Sequence, residues 1–437
     1  MIVVQYKKSF LILFLLCLLT TDYTQAADLI KPSPRLPKST PWDLSVLSKA
    51  PEFEWIDKKS PIKTLVYQGL DYQGKPTKVF AYYGVPDLPK TKNAKPSRFA
   101  SVVLVHGGGG TAFREWVELW VQRGYVAIAM DLAGSQPIEG KNPHGGKNRV
   151  RLTDGGPNQS HVEKFEAIKS DKSEHWCYHA PANVILAHSL IRSFPEVDKE
   201  RTAITGISWG GYLTCIVAGL DNRFKAAVPV YGCGFLNNHS VFEKSINKLP
   251  PTDAKRWMQL YDPGQYLPAV QMPILFINGT NDFAYWLSAY KRSYDAVPAT
   301  TYRNIRIEVN MRHSHPAGWA PREIADFIHE KLNAGIPLPL IQNPMLKDKL
   351  VTADLAKLTI DQKELLQLRY PNLKRSAVLF YTTDEGPNSE RKWKSIPLRL
   401  NGRKISGTAP PENTKIWFIN VTVETGATAS SPLMMHP

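Results

Sequence analysis

The chain has 437 residues, of which 43% are hydrophobic, 21% charged and 10% aromatic, with eleven tryptophans. That content excludes intrinsic disorder and a disulfide-stapled miniprotein, and the length bounds the number of domains at about three. The formal charge of +15 leaves an acidic polymer or an anionic surface open as a partner, but no basic run is long enough to track a nucleic-acid backbone. No nucleic-acid partner is expected, and nothing in the composition sets an oligomeric state.

In chain order, Lys7 and Lys8 precede the apolar run Phe10 to Leu19 and a polar stretch ending in Ala26 and Ala27. This pattern predicts a secretory signal peptide over 1–26, a secreted or periplasmic mature protein, and no membrane span after cleavage. Cys17 follows Leu15 and Leu16, a poor lipobox. Cys177, Cys215 and Cys233 remain without paired spacing; no disulfide framework is implied, although one bridge stays open.

A Pro-rich stretch over 27–50 predicts an extended lead-in. Ile62 to Gly69 and Thr77 to Val85, around the turn Gln73-Gly74-Lys75-Pro76, predict a hairpin extending a sheet edge. From Arg98 apolar runs alternate with helical periodicity. Strands are expected at Ala100–Val105, Tyr125–Met130, Thr202–Ile207, Ala226–Val230, Ile274–Ile277 and Ile305–Val309, with helices at Phe113–Arg123, Ala182–Arg192, Gly211–Leu220, Tyr285–Ala296 and Pro321–Asn333. The pattern is that of a doubly wound α/β domain over 51–336, interrupted by long connections at Ala133–Tyr178 and Gly232–Val270. Past Ile336-Pro337-Leu338-Pro339 the alternation ends. Strands at Ala377–Thr382, Ile396–Leu400, Ile405–Gly407 and Lys415–Val423 predict a small all-β sandwich over 340–437.

The sharpest motif is Gly206-Ile207-Ser208-Trp209-Gly210, between a strand and an apolar helix. There a serine sits on a strained turn, the glycines remove Cβ atoms that would strike nearby backbone, and the Trp209 amide can face a developing oxyanion. Val105-His106-Gly107-Gly108-Gly109-Gly110, also after a strand, fits a loop whose amides approach a carbonyl oxygen. No Lys-Ser or Lys-Thr follows it, which argues against a phosphate loop. An orienting acid and a base are needed later in the chain, at strand ends. Asp282, after the strand ending at Ile277, meets the first need, with a helix N-cap as its bland alternative. Met311-Arg312-His313-Ser314-His315 offers two bases; His313 is preferred as first after the strand, and His315 remains the alternative.

His175 and His179 have spacing that fits a metal pair, but no companion ligands are evident, so no metal is expected and packing is the favoured role. Lys141, His144, Lys147, Arg149 and Arg151 cluster among glycines, as a solvated loop or as a lid facing an anionic group on a sugar polymer.

With these motifs the chain resembles the α/β-hydrolase superfamily, and within it the secreted acetyl xylan esterase, dienelactone hydrolase and prolyl-oligopeptidase-like branch, over about residues 60–335. The resemblance implies Ser208 as nucleophile, His313 as base, Asp282 as orienting acid, and the amides of Gly108 and Trp209 as oxyanion hole, with no cofactor. No propeller-sized region precedes the α/β segment, which weights the expectation towards short-chain esters on a small molecule or polysaccharide and away from peptides. A glycan-binding protein without turnover is the third reading.

Overall fold

The structure, a computed structural model, describes residues 29–87, 98–370 and 373–435. The expected signal peptide at 1–26 lies outside the described residues. Nine strands carry the site: β1 (Phe53–Asp57), β2 (Ile62–Gln68), β3 (Lys78–Gly84), β4 (Phe99–Val105), β5 (Val126–Met130), β6 (Val197–Ile207), β7 (Ala226–Val230), β8 (Ile274–Gly279) and β9 (Arg303–Glu308). Their spatial order is β1-β2-β3-β5-β4-β6-β7-β8-β9, antiparallel up to β5 and parallel from β5 to β9. The parallel strands are buried on both faces, because helices cover both sides, and so they are continuous apolar runs such as Val-Ala-Ile-Ala-Met in β5. The expected hairpin is present as β2 and β3, and β1, which the sequence did not predict, adds one more edge strand.

Among the helices are α1 (Leu44–Leu47), α2 (Arg114–Gln122), α3 (Trp176–Ser193), α4 (Trp209–Leu220), α5 (Leu287–Ala296) and α6 (Arg322–Asn333). Helix α3 begins six residues before its expected start. Pro181 lies in its second turn, where the missing N–H deprives only the Cys177 carbonyl of its intrahelical donor, and burial of Trp176 and Cys177 outweighs that loss. No described helix is long and apolar enough to cross a membrane. Cys177, Cys215 and Cys233 are buried free thiols.

The Pro-rich lead-in departs from the extended expectation. Asp43 accepts from the Ser45 and Val46 amides and nucleates α1, whose Leu44 and Leu47 are buried. Trp42 stacks on Tyr178 at 6.2 Å, meets Tyr266 edge-on at 5.6 Å, and donates from Nε1 to the Tyr178 carbonyl. One buried indole with a satisfied N–H is enough to dock a segment whose composition alone predicts no fold.

The C-terminal strands form the expected all-β region: β10 (Ile341–Lys347), β11 (Leu350–Leu355), β12 (Arg375–Thr382), β13 (Lys394–Asn401), β14 (Lys404–Thr408), β15 (Ile416–Val423) and β16 (Thr428–Ser430). They make one antiparallel ladder in the order β10-β11-β14-β13-β12-β15-β16. Ile341 at one end and Trp417 near the other share one core with Val351, Leu379, Ile405 and Ile419, so the ladder folds back over itself. Strand β16 then pairs with β9 through Ser430 and Ile305, which makes the C-terminal ladder a continuation of the parallel sheet. A helix, α7 (Ile360–Arg369), starts at a capping box of Thr359 and Gln362 and lies outside this core.

Trp42→Ala should destabilise the protein by about 3–5 kcal/mol. Urea denaturation checks this, and a midpoint equal to the unsubstituted protein's would show that the lead-in is only loosely attached.

Candidate active site

Four loops at the carboxyl ends of parallel strands meet above the sheet, where an open α/β sheet places its ligands. Strand β6 ends at Ile207, and Ser208 follows at φ 59°, ψ −117°, ahead of α4. A non-glycine residue holds this conformation only where its surroundings over-determine it. A Cβ at Gly206 would strike the Gly210 carbonyl, one at Gly210 the Val105 carbonyl, and one at Gly232 the Ser208 carbonyl. The Ser208 amide donates to Val230 (2.9 Å), and the Ser208 carbonyl accepts from the Tyr212 amide (2.9 Å). The turn is thus clamped between β4 and β7.

The loops after β8 and β9 bring the other two groups. Ser208 Oγ lies 3.0 Å from His313 Nε2, and His313 Nδ1 lies 2.6 Å from Asp282 Oδ2. Asp282 is buried, and its Oδ1 accepts from the amides of Ala284 (2.9 Å) and Tyr285 (2.7 Å). The capping alternative is therefore also present: one carboxylate oxygen organises a turn while the other holds the imidazole. The His313 ring stacks on Tyr231 at 4.4 Å and meets the exposed Phe283 at 5.0 Å.

His315 goes elsewhere. Its Nε2 accepts from the Gly107 amide at 3.0 Å, and its ring packs on Phe113 at 4.7 Å. Burial first, then the neighbouring His106, His144 and His313, push its pKa down to about 3, so it stays a neutral acceptor. The adjoining loop is fixed from below by His106, whose Nδ1 donates to the Gly107 carbonyl (2.7 Å) and whose Nε2 accepts from the Leu132 amide (2.8 Å). With Gly107 committed, the next amide is that of Gly108, where an added Cβ would come within 2.9 Å of the Trp209 indole. Among the described residues, neither the Gly108 nor the Trp209 amide donates to a protein acceptor; Trp209 opens α4, where amides have no intrahelical partner.

Both insertions close on this centre. In the first, the hairpin Ser135–Pro137 and Arg149–Arg151 carries Arg149, which donates to the Gly110 carbonyl at 2.7 Å. His144 lies on Phe113 at 4.9 Å and reaches Glu115 at 2.9 Å. Arg151 holds the Ala133, Gly155 and Gly156 carbonyls, whereas Lys141 and Lys147 are exposed. The cluster thus divides into two anchoring arginines and two free lysines. His175 faces the Tyr261 hydroxyl (2.6 Å) and His179 the Ser173 carbonyl (2.7 Å). Around Trp209 the first insertion sets Phe165 and the Lys164 ammonium (4.8 Å from the ring), and the second sets Phe242 (4.6 Å). Lys164, Phe165, Phe242 and Tyr285 were missed in the sequence, where nothing distinguishes them from ordinary core aromatics and surface lysines. A cavity of about 820 Å³, lined by Tyr302, Leu338, Leu355 and Tyr370, lies apart; none of Ser208, Asp282 and His313 borders it.

The sheet order and the Ser208, His313 and Asp282 loops at its strand ends define an α/β-hydrolase. A family model for acetyl xylan esterase (AXE1) matches residues 42–266, just over half of the chain, and one for PhoPQ-activated pathogenicity-related protein matches 242–369. The chain belongs to the acetyl xylan esterase family. Ser208 falls in the first match, and Asp282 and His313 in the second. Acetyl esterase Axe7A of Xylanibacter ruminicola is 21% identical over 216 residues, which cover 44% of this chain and 44% of that protein. Uncharacterized peptidase YuxL of Bacillus subtilis is 26% identical over 198 residues, 41% of this chain and 25% of that one. The chain spans less than half the length of either curated relative. An acetyl xylan esterase structure from Paenibacillus sp. R4 superposes with a TM-score of 0.51 at 19% identity, over 66% of this chain and 92% of that one, which shows the fold.

The buried histidines set an acid limit on stability. Burial holds His315 and His188 at about 3 and His179 at about 4, against 6.5 for an exposed ring, so the unfolded chain takes up protons first as pH falls. Their contribution is present above about pH 6.5 and lost towards pH 3. In NMR titration the His315 ring should stay neutral down to about pH 4, and a titration near 6.5 would refute the packing described for it.

Proposed function

We propose that the protein is a serine carboxylic ester hydrolase acting on short-chain, acetyl-type esters of carbohydrate. The observation that carries this reading is the continuous chain from Ser208 Oγ through His313 to Asp282, at 3.0 and 2.6 Å, beside two uncommitted amides. Ser208 Oγ attacks the ester carbonyl carbon while His313 Nε2 takes its proton, and Asp282 stabilises the imidazolium formed. The carbonyl oxygen, now negative, is held by the Gly108 and Trp209 amides at the N-terminus of α4, where the helix dipole adds to their field. Collapse breaks the bond to the alcohol, which receives the proton from His313. Water then attacks the acyl-enzyme, gives a proton to His313, and releases the acid with Ser208 restored.

Carbohydrate as the alcohol is supported by the rim. Phe283 is 55% exposed beside His313, so an aromatic face is available to the apolar face of a sugar ring. Short acyl groups are supported by the crowding of Trp209, Phe242 and Tyr285, with Phe242 4.6 Å from one ring and 5.4 Å from the other. Residues 51–336 are proposed as the catalytic unit, acting after export directed by residues 1–26.

Hydrolysis of p-nitrophenyl acetate and butyrate, measured beside aminoacyl p-nitroanilides, tests the proposal. Acetate should turn over faster than butyrate, and Ser208→Ala should lower kcat by about a thousandfold or more. Turnover of anilides alone would make the protein a peptidase, and binding of acetylated xylan without any turnover would make it a glycan-binding protein.

A further inference from the structure

Tyr285 is fully buried, and its hydroxyl, the side chain's only polar atom, forms no hydrogen bond of acceptable geometry. A buried hydroxyl left unpaired is costly, and a structural tyrosine avoids that cost, as its neighbour does: Tyr290, equally buried, donates to the Ile277 carbonyl at 2.6 Å. Replacing Tyr285 by phenylalanine would keep the packing and remove the unpaired group. The backbone nevertheless fixes Tyr285 firmly. Its amide donates to Asp282 Oδ1 (2.7 Å), its carbonyl accepts from Asn278 Nδ2 (3.0 Å), and its ring lies parallel to that of His313, 7° apart in tilt at 6.4 Å. So held, the hydroxyl lies against the Ser208 side chain, which counteracts the burial that raises the phenol well above its ordinary pKa.

Ser208 directs its own proton to His313, which leaves the Oγ lone pairs without a donor. We propose that Tyr285 is a catalytic residue whose hydroxyl donates a hydrogen bond to Ser208 Oγ as that oxygen gains and loses charge. The inference rests on Ser208 being the nucleophile. In acylation the Oγ–H bond breaks towards His313 while the Oγ–C bond forms, and Tyr285 steadies the oxygen between these events. In deacylation the Oγ–C bond breaks, the oxygen carries charge until His313 returns a proton, and Tyr285 steadies it again. The phenol keeps its proton throughout, so no acid or base is added to the cycle. Catalytic hydrogen bonds that are long in the free enzyme and tighten in the reacting complex are expected at such a position.

The test uses the full-length mature protein with Tyr285→Phe, Tyr290→Phe and Ser208→Ala, measuring kcat and KM for p-nitrophenyl acetate together with Tm. Tyr285→Phe is expected to lower kcat by about tenfold or more, to leave KM within about twofold, and to keep or raise Tm. Tyr290→Phe, which removes a satisfied hydroxyl, should lower Tm and leave kcat unchanged. A Tyr285→Phe enzyme with unchanged kcat, or one whose kcat falls together with Tm, overturns the proposal. A wild-type protein without ester turnover, or turnover that survives Ser208→Ala, removes the nucleophile itself and this role with it.

Discussion

The turn at Ser208 is the constraint on which the rest depends. Its backbone is held at φ 59° because Gly206, Gly210 and Gly232 let three main-chain segments approach more closely than any Cβ would allow. That contact ties the end of β6 to the ends of β4 and β7, and so fixes the distance between Ser208 and the Gly107–Gly110 loop before any side chain is considered. The cost of the strained residue, about 1–3 kcal/mol, is offset by the packing of α4, every residue of which is buried.

Around this fixed point the positioning is shared economically. Asp282 divides its oxygens between the imidazole and the turn that carries Tyr285. His315 and His106 hold opposite ends of the Gly107 peptide, one through the N–H and one through the C=O. The C-terminal ladder supports the far side: Ser430 Oγ accepts from the Ile307 amide at 2.7 Å, and Asn420 donates to the Ile307 carbonyl at 3.2 Å. Glu323 of α6 accepts from the Thr428 amide at 2.7 Å. Strand β9, whose following loop delivers His313, is therefore held on both edges.

Much of this was legible in the sequence, since glycines at fixed offsets around a serine, placed between an apolar strand and an apolar helix, leave few alternatives. The parallel strands, the helices between them and the positions of Ser208, Asp282 and the His313–His315 loop follow from such local patterns. What was not legible depends on contacts between distant residues. Position after the strand favoured His313 over His315, but what holds the second ring away from Ser208 is the Gly107 amide, about two hundred residues away. The docking of Trp42 needed Tyr178 and Tyr266, and the joining of β9 to β16 rests on side chains more than a hundred residues apart. Tyr285 was hidden for a different reason: an unpaired hydroxyl has no signature in composition or periodicity.

The union of β9 with β16 also decides where the molecule could stick to others. Without it, an apolar parallel strand would end the sheet with a row of open amides and carbonyls, a template for any passing chain. Extending the ladder moves that edge outward to β10, where Pro344 removes one donor, Asn343 at φ 51° distorts the register, and most side chains up to Lys347 face water. At the opposite edge, the five residues of β1 carry Glu54 and Asp57 and a register break. The sheet is long, but at each of its ends a break in register interrupts the row of open amides and carbonyls on which a further strand would pair.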